Sequence, residues 1–506
     1  MKIINTAEFD FNNLNADETH WVYNGLDCCL THEIFGALDS VVDATCRETY
    51  EFSKSLQAPV LEMNLRGLLV NKNRRHKVLG QMRKKLIQLE EQLRAIVSDG
   101  IGFPNYNWRS APQTLDLLYG VMGLPVQKKR NTNGIFAPST DRDALEKLSF
   151  HYIAEPVINH LLALRDLGKS VSFLETAIDP DGRMRTNFNI AGTVTGRFSS
   201  NLTDFGTGTN LQNVNSALRS VFVSDPGYKF ANLDLEQADA RNVGALAWNA
   251  LVDHPDWTEA TAGKYLDFCE SGDLHTNVCK MSNPNLPWGT APDREIADRL
   301  AYRELTYRDM AKKLGHGSNF LGKPPTMAKH SKLPVSTVKE FHANYFGAFP
   351  CLPAWHQSIF WSLKNLGQLT TPFGRRRFFL ERPEEDSTRR EAVAHQPQSM
   401  TGDQINNGIL RLWRGDRVQL LVQVHDSILF QYKEEEEAEM LAWAMDILPT
   451  KLVLKRDREF IVPTDAAVGW NWGYASPDNP DGLKKWKGED SRKRTETAFQ
   501  LSFMDL

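Results

Sequence analysis

The stretch NLDLEQADARNVGALAW, Asn232 to Trp248, decides the fold of this chain. It completes the aromatic and apolar run YKFANLDL, which predicts a β-strand that ends near Asp234. A helix is then predicted by residues that recur at three- and four-residue steps, namely Ala238, Arg241, Ala245 and Trp248. A carboxylate at a strand end, just before a helix begins, is well placed to hold a metal ion. The pattern is common, so it needs a second acid to indicate catalysis.

That second acid lies in LLVQVHDSILFQY, Leu420 to Tyr432. The segment has a strand–turn–strand pattern with His425 and Asp426 at its tip. Two carboxylates on two strand tips, far apart in sequence, suit a two-metal phosphoryl-transfer site. Asp234 and Asp426 are therefore the candidate metal ligands.

The composition is that of an ordinary globular protein and allows two to four domains. The chain has 506 residues, of which 41% are hydrophobic and 24% charged. A formal net charge of -4 does not announce a nucleic-acid partner, although a basic groove can be local. The six Cys show no zinc spacing, which favours reduced thiols in a cytoplasmic protein. No apolar run approaches a membrane span and no signal pattern opens the chain, so no membrane association is expected.

The segment from residue 71 to 100 is basic and helical. Its apolar residues alternate at steps of three and four, which predicts a seam for an antiparallel partner helix: Leu79, Met82, Leu86, Leu89, Leu93 and Ile96. Seven Lys or Arg and no acid lie between Lys72 and Lys85. They form either a solvated helix face or a contact with a phosphate backbone.

A polar loop follows in NFNIAGTVTGRFSS, Asn187 to Ser200, and in NLQN, Asn210 to Asn213. Its hydrogen-bonding side chains and Arg197 suit minor-groove acceptors and sugar-phosphate.

Beyond an irregular stretch at about 253–293, a single charged helix is predicted over 293–320. Arg308, Lys312 and His316 recur every four residues and share one face, and Phe320 follows one step further. Such a cationic stripe can bind a triphosphate, and an aromatic ring at its end can stack on a base. A solvated amphipathic helix is the alternative.

Two further segments complete the pattern. TTPFGRRRFFLERP predicts a hairpin with Arg375 to Arg377 at its turn. STRREAVAHQPQSMTGDQINNGILRLWR is mostly helical and contains Gln398 and Ser399.

With these motifs assembled, the chain resembles the family A DNA polymerases, the class of bacterial DNA polymerase I and many phage replicases. The likeness covers roughly residues 55–475 and follows the order of eight motifs: TVTGRFSS, NLQN, DLEQADAR, GDLHT, RDMAKKLGHGSNF, PFGRRR, QS and VHDS. It implies a mixed α+β fold of right-hand shape, with an antiparallel palm sheet and helical fingers and thumb.

The resemblance also implies a division of the chain. Residues 1–50 would be an exonuclease-like remnant or docking segment, and 51–185 the thumb with the start of the palm. The first metal carboxylate would lie in the palm at 186–252, and the fingers at 253–350. The second carboxylate would lie in the palm at 351–475, before a tail at 476–506.

The implied activity is template-directed addition of dNTPs to a primer 3′-hydroxyl. Asp234, Asp426 and the Leu235 carbonyl would hold two Mg²⁺ ions, and Lys312 could protonate pyrophosphate. The nucleotide would be bound by Gln237, Asp239, His275, Arg308, Lys312, His316 and Phe320. The primer–template DNA would be bound by Arg197, Gln212, Asn213, Arg375, Gln398 and His425.

Several positions depart from the family pattern. Asp239 stands where the family usually has Glu as the gate against a ribose 2′-hydroxyl, so sugar discrimination is expected to be looser. His316 replaces the usual Phe or Tyr that senses the 3′-hydroxyl. Ser427 replaces a Glu and is not counted as a metal ligand. The spacing before Gln398 is one residue short.

Near the start of the chain, Tyr23 and Asp27 resemble the last motif of the family's proofreading exonuclease. The first two motifs are not found, so this chain alone is expected to lack 3′–5′ exonuclease activity. Either a separate exonuclease subunit docks near this segment or the exonuclease has been lost, and a processivity factor is a possible further partner. The compact, split layout suggests a phage origin and a host-cytoplasmic location.

Three other functions compete with this interpretation. The single-subunit RNA polymerases share VHDS and the palm, but they lack an acid at the sugar gate and lack TGRFSS. A non-catalytic DNA-binding replication factor would tolerate loss of a metal carboxylate, yet Asp234 and Asp426 are both present. A nuclease would not need a triphosphate face.

Overall fold

A computed structural model describes residues 14–131, 134–302 and 305–487. Part of the predicted tail, residues 488–506, and the first 13 residues lie outside the described residues. The α-helices are, in chain order, α1 (Ala16–Val41), α2 (Ala44–Ser55), α3 (Gln57–Arg66), α4 (Lys72–Arg94), α5 (Ala111–Leu115), α6 (Arg142–Leu148), α7 (Glu155–Glu175), α8 (Ala238–Leu251), α9 (Glu259–Ala262), α10 (Lys264–Glu270), α11 (Leu274–Ser282), α12 (Asp293–Ala297), α13 (Tyr307–Asn319), α14 (Pro324–Ser331), α15 (Val335–Ala348), α16 (Cys351–Leu366), α17 (Asp386–Gly415) and α18 (Glu437–Ile447).

The β-strands are short apart from four. They are β1 (Leu68–Val70), β2 (Lys128–Arg130), β3 (Phe136–Pro138), β4 (Arg183–Met184), β5 (Asn187–Asn189), β6 (Ser199–Asn201), β7 (Phe222–Val223), β8 (Tyr228–Leu235), β9 (Leu300–Tyr302), β10 (Leu305–Thr306), β11 (Gln368–Thr370), β12 (Arg376–Phe378), β13 (Gln419–Val424), β14 (Ser427–Lys433), β15 (Leu452–Val453), β16 (Glu459–Phe460), β17 (Thr464–Gly469) and β18 (Lys484–Lys485). The fold is therefore a mixture of helices and strands. Within the described ranges, no helix has both the length and the apolar character needed to cross a membrane.

Two compact units form from these elements, and each is built from two separate segments of the chain. The first unit, called here the helical unit, contains the residues up to Gln57 and those from Asp239 to Asp403. The second, called the sheet unit, contains Ala58 to Ala238 and the chain from Gln404 onward.

A five-stranded sheet lies at the centre of the sheet unit. Its strand order is β13-β14-β8-β17-β18, and every neighbouring pair is antiparallel. The predicted strand before Asp234 is confirmed as β8, and the predicted strand–turn–strand around Asp426 as β13 and β14. β14 is buried at six of its seven positions, and four of these residues, Ile428, Leu429, Phe430 and Tyr432, are aliphatic or aromatic, so the middle of the sheet is part of the core.

The predicted helix seam in the sheet unit is confirmed in part, because Leu86 and Leu93 belong to a core against which Leu89 and Ile96 pack. α4 packs against α7, and their contact is part of a core that includes Leu86, Leu93, Val157 and Leu161. Some basic residues of α4 bind other groups of the protein itself. Arg75 Nε donates to the Leu174 carbonyl at 2.6 Å.

Two other basic residues of α4 also have partners in the sheet unit. An Arg74 guanidinium nitrogen donates to the Ser220 carbonyl at 3.1 Å, and Arg83 pairs with Glu175 at 2.6 Å. These contacts favour a structural role for three of the seven basic residues.

The single helix predicted over 293–320 is wrong. α12 ends at Ala297, and the small hairpin of β9 and β10 separates it from α13. Thr306 starts α13 afresh, because its side-chain oxygen accepts a hydrogen bond from the Asp309 amide at 3.0 Å. The cationic stripe lies wholly on α13, apart from Phe320, which is the residue that caps its end.

The prediction of an irregular stretch over 253–293 is wrong as well, because α9, α10 and α11 lie within it. The Asp273 side chain caps α11 by accepting from the amides of His275 and Thr276, at 3.2 and 3.4 Å. The many Asp, Pro and Gly residues thus mark the caps of short helices rather than one loop.

Candidate active site

Strand pairing brings Asp234 and Asp426 together at one end of the central sheet. Ser427 on β14 and Asp465 on β17 are the residues directly opposite Asp234. The Leu235 amide donates to the Asp426 carbonyl at 3.1 Å. Both aspartates are half-buried. We call Asp234 on β8 and Asp426 in the β13–β14 turn the carboxylate edge, and its position is fixed by the pairing of β8 with β14 and by this backbone hydrogen bond.

A residue with left-handed backbone conformation lies close in sequence to each acid. Gln237 has φ 54° in the turn between β8 and α8, and His425 has φ 55° directly before Asp426. Left-handed backbone is uncommon for such residues and persists where the surrounding structure imposes it. Among the described residues, the buried Oε1 atom of Gln237 has no hydrogen-bond partner. A ligand or water could satisfy this atom, which fits its predicted contact with a nucleotide.

A chain of two glutamines supports the His425 turn. Gln423 Nε2 donates to the His425 carbonyl at 2.5 Å, and Gln212 Nε2 donates to Gln423 Oε1 at 2.8 Å. Gln423 is 1% exposed, and the sequence analysis did not single it out. Its signal was a lone polar residue in the otherwise apolar run LLVQV. The predicted DNA contact Gln212 is therefore linked to the turn that carries Asp426.

The residues of the carboxylate edge fit a divalent cation such as Mg²⁺. They supply hard oxygen ligands, and Mg²⁺ is commonly held by one or two carboxylates together with waters and substrate phosphates. In the part of the chain that the structure describes, no group of three or more His, Cys, Asp or Glu could hold a metal ion. The two carboxylates of the edge would leave waters and substrate phosphates to complete the coordination of such an ion.

The first part of the predicted polar loop, Asn187 to Ser200, also lies in the sheet unit. Gly196, with φ 77°, forms its turn, and its carbonyl accepts from Asn406 Nδ2 at 2.9 Å. The Arg197 carbonyl accepts from the Thr193 hydroxyl at 2.7 Å, and the Arg197 side chain is half-buried. Arg197 therefore sits on a turn that is fixed at both the glycine and the arginine.

A groove of about 1130 Å³ runs beside α7 in the sheet unit. Of the predicted site residues, Asn213 lines it and is exposed. The other lining side chains include cations, amides and an indole ring, among them Trp108, Arg109, Arg165, Lys169, Asn210 and Asn215. This mixture can contact phosphate, sugar and stacked rings.

The predicted triphosphate-binding residues come together in the helical unit. Arg308 binds Asp273 through two hydrogen bonds, of 2.8 and 3.0 Å, and its side chain is 17% exposed. Lys312 and His316 are exposed on the same face of α13. We call Arg308, Lys312 and His316, with the neighbouring His275, the cationic face.

The charges of this face shift the pKa values of its neighbours. Burial, with the positive charges of Arg308 and Lys312, lowers the pKa of His275 to about 4. His275 is therefore neutral at pH 7. Although burial opposes it, hydrogen bonding from Arg308 and Thr276 holds the pKa of Asp273 well below its usual range. Asp273 thus stays ionised and keeps Arg308 paired.

The end of α13 is anchored by a buried hydrogen-bond network that the sequence analysis missed. Asn319 Nδ2 donates to the Tyr265 hydroxyl at 2.9 Å, and the Tyr345 hydroxyl donates to Asn319 Oδ1 at 3.0 Å. His356 Nε2 lies 2.9 Å from the Asn319 carbonyl. Next to this anchor, the rings of His316 and Phe320 lie 4.7 Å apart.

Asp239 lies in the first turn of α8 and contacts α17 within the helical unit. The Thr401 hydroxyl donates to Asp239 Oδ1 at 2.9 Å, and Asn242 Nδ2 donates to the Thr401 oxygen at 3.0 Å. Asp239 is half-buried, whereas Thr401 is fully buried. This contact was not predicted.

The predicted hairpin is confirmed as β11 and β12, but Arg376 and Arg377 lie in β12 and not at the turn. Its arginines are paired within the helical unit. Arg375 binds the buried Asp403, with the shortest bond at 2.7 Å. Arg377 pairs with Glu391 at 2.6 Å. A contact between Arg375 and DNA would have to coexist with its ion pair or replace it. Gln398 lies on α17, as predicted, and is half-buried.

Comparison with known proteins identifies the family. The model of DNA polymerase family A matches residues 74–474. The chain belongs to family A of the DNA polymerases. Thermostable DNA polymerase I from Thermus aquaticus is 24% identical over 420 residues, which are 79% of this chain and 45% of that protein. DNA polymerase I from Mycobacterium bovis is 26% identical over 416 residues, which are 77% of this chain and 41% of that protein.

A solved structure shares the fold. The POL domain of Pol1 from M. smegmatis, in complex with DNA primer-template and dNTP, matches with a TM-score of 0.63 and 24% identity. The match covers 83% of this chain and 69% of that one. The chain spans less than half the length of the two curated relatives.

The predicted exonuclease remnant is helical in its described part. Tyr23 and Asp27 are both exposed on α1, one turn apart as predicted. The same helix exposes Trp21, Leu38 and Val41 and has no buried residue.

Proposed function

We propose that this family A chain is a template-directed DNA polymerase that adds dNTPs to a primer 3′-hydroxyl. The observation that carries the proposal is the position of Asp426 in the turn next to the β8 end that carries Asp234, where β8 pairs with β14 and the Leu235 amide binds the Asp426 carbonyl. The relatives in two bacterial genera carry the name DNA polymerase I. The similar solved structure was described with primer-template and dNTP.

The carboxylate edge would hold two Mg²⁺ ions through Asp234 and Asp426, with the Leu235 carbonyl as a further ligand. When bound, such ions lower the pKa of the attacking hydroxyl and neutralise charge on the triphosphate. The protein's own part is to keep both carboxylates in place at the sheet end, so that little reorganisation is needed during the reaction.

The cationic face binds the triphosphate of the incoming nucleotide. Arg308 and Lys312 supply charge-assisted hydrogen bonds, and the neutral His275 donates one ring N–H. Lys312, which is exposed, protonates the leaving pyrophosphate. Arg308 exchanges Asp273 for a phosphate when the nucleotide arrives.

The remaining predicted residues contact the base, the sugar and the DNA. Phe320 and Gln237 lie against the nascent base pair, and Asp239 and His316 face the nucleotide sugar. The primer and template are contacted by Arg197, Gln212, Asn213, Arg375, Gln398 and His425. The groove beside α7 receives part of the duplex, because its amides and cations match phosphate and sugar oxygens.

Primer extension with Mg²⁺ tests this function, with dNTPs in one reaction and rNTPs in another. Template-directed extension with dNTPs that disappears in Asp426→Asn supports both the activity and the metal ligands. Extension mainly with rNTPs would favour the RNA polymerase alternative and would mean that Asp239 is no effective gate. A wild-type chain that binds DNA and extends with neither would favour the non-catalytic alternative.

A separate exonuclease subunit, a processivity factor, a phage origin and a host-cytoplasmic location stay predictions. For the first, the pure chain should show no Mg²⁺-dependent 3′–5′ trimming of a mismatched primer. Trimming that persists in an Asp27→Ala variant would point to a contaminating nuclease, whereas trimming lost in that variant would refute the prediction.

A further inference from the structure

The Thr401 hydroxyl lies between a buried amide and the Asp239 carboxylate. Thr401 and Asn242 are both 0% exposed, so neither can exchange its partner for bulk water. Asn242 Nδ2 donates to Thr401 Oγ1 at 3.0 Å and thereby occupies a lone pair of that oxygen. The hydroxyl hydrogen is left for an acceptor on the other side.

Two acceptors lie within reach of that hydrogen. Asp239 Oδ1 is 2.9 Å away, and the Pro397 carbonyl, one turn back on α17, is 3.0 Å away. A hydroxyl has one hydrogen, and a hydrogen bond to an ionised carboxylate is roughly twice as strong as one to a neutral carbonyl. The hydroxyl therefore points at Asp239, and the order of donation is Asn242 to Thr401 to Asp239.

The helix geometry makes this arrangement effective. Asp239 and Asn242 are three residues apart on α8 and so lie on the same side of the helix. Thr401 reaches both of them from α17, and its β-branched side chain has few rotamers in a helix. The Oδ1 atom of Asp239 is therefore held by a rigid, fully buried partner.

We propose that Thr401 is a positioning residue for sugar selection, because it fixes the rotamer of the Asp239 carboxylate. This inference rests on the proposed function, in which Asp239 faces the nucleotide sugar. A short carboxylate excludes a 2′-hydroxyl only if it cannot swing aside. Loss of the Thr401 hydroxyl lets it do so, and the preference for dNTPs over rNTPs falls.

The test is single-nucleotide incorporation opposite one template base, comparing kcat/KM for dATP and ATP. Thr401→Val keeps the shape and removes the hydroxyl, and the dATP/ATP ratio should fall about tenfold, the size expected for one hydrogen bond to a charged group. Thr401→Ser restores the hydroxyl and should stay within about threefold of the wild type. Thr388→Val makes the same change at another buried threonine of α17 and should leave the ratio unchanged.

A double-mutant cycle separates positioning from a general structural effect. In Asp239→Ala the ratio should be low already, and adding Thr401→Val should not lower it further. A further fall would overturn the proposal, as would a wild-type ratio in Thr401→Val or an equal fall in Thr401→Ser. If Thr401→Val gives no folded protein by circular dichroism, Thr401→Ala provides the same comparison. If the wild-type chain incorporates no dATP, the proposed function itself is contradicted.

Discussion

The carboxylate edge and the cationic face are held in place by different means. Asp234 lies on β8 and Asp426 in the turn between β13 and β14, and the pairing of β8 with β14 fixes their positions. Arg308 is instead held by the side chain of Asp273, through two bonds that a phosphate could replace. The first arrangement forms without a substrate. The second is an internal ion pair that would have to change if Arg308 bound an anion.

The largest expected effect concerns the carboxylate edge. Asp426→Asn keeps the shape of the side chain but removes its charge, so primer extension should fall at least about 1000-fold. The matched control is Asp416→Asn, an exposed acid just before β13 whose φ of 49° an asparagine also tolerates. Single-turnover extension measures both. Comparable losses in the two variants would mean that the edge has no special role.

The second effect, on stability, belongs to the helical unit. Burial lowers the pKa values of His356 and His395 to about 4, below the usual value near 6.5. Between these two values the unfolded chain binds protons that the folded one does not. Each histidine's contribution to stability is therefore complete above pH 6.5 and is lost as the pH falls toward 4, by about 2 kcal/mol at pH 4.5.

Urea denaturation at pH 7 and pH 4.5 measures this loss. In His395→Gln the difference between the two pH values should shrink by about 2 kcal/mol relative to the wild type. His151→Gln is the control, because that residue is exposed. An unchanged difference in His395→Gln would contradict the assignment of a buried neutral histidine.

The cationic face should show an effect of similar size, which appears in nucleotide binding. Arg308→Ala should raise KM for dNTPs about 30-fold, or about 2 kcal/mol, because a charge-assisted contact with phosphate is lost. Arg294→Ala provides the control, since Arg294 pairs with the same Asp273 but is 56% exposed. Its effect should stay below about threefold. Equal increases in KM in the two variants would show that loss of the ion pair with Asp273, and not loss of a phosphate contact, weakens nucleotide binding.

The smallest expected effect tests directly whether the Asp273 ion pair competes with the nucleotide for Arg308. Asp273→Asn keeps the cap of α11 but weakens the hold on Arg308, so KM for dNTPs should fall about threefold as competition for the guanidinium decreases. Asp298→Asn is the matched control, because Asp298 pairs with Arg294 at 2.5 Å and not with Arg308. A rise in KM for Asp273→Asn would mean that the ion pair preorganises Arg308 for the nucleotide.

The sequence predicted best the parts of the site that depend on local pattern. β8, the β13–β14 hairpin and the face of α13 follow from the spacing of apolar and charged residues over short windows. The break before α13 was missed, although Thr306 followed by Asp309 three residues later is a readable helix start. The regular charge pattern from 293 to 320 concealed it.

The supporting contacts could not have been predicted in the same way. Thr401 lies 162 residues from Asp239 in sequence, and Gln212 lies 211 residues from Gln423. No local pattern specifies such pairs, because they depend on how whole elements pack. Buried polar side chains within apolar runs, such as Gln423, are the available hint that a distant partner exists.

The order of strands in the central sheet has a consequence for synthesis on the ribosome. β8 lies between β14 and β17, yet both neighbours are translated roughly 190 residues or more after it. At usual elongation rates of about 5–20 residues per second, β8 waits about 10–40 s before either partner emerges. During that time its backbone is an unpaired strand edge, and the helical unit, complete at Asp403, can finish first. The strand that carries Asp234 is thus among the last parts of the molecule to gain its hydrogen-bonded partners.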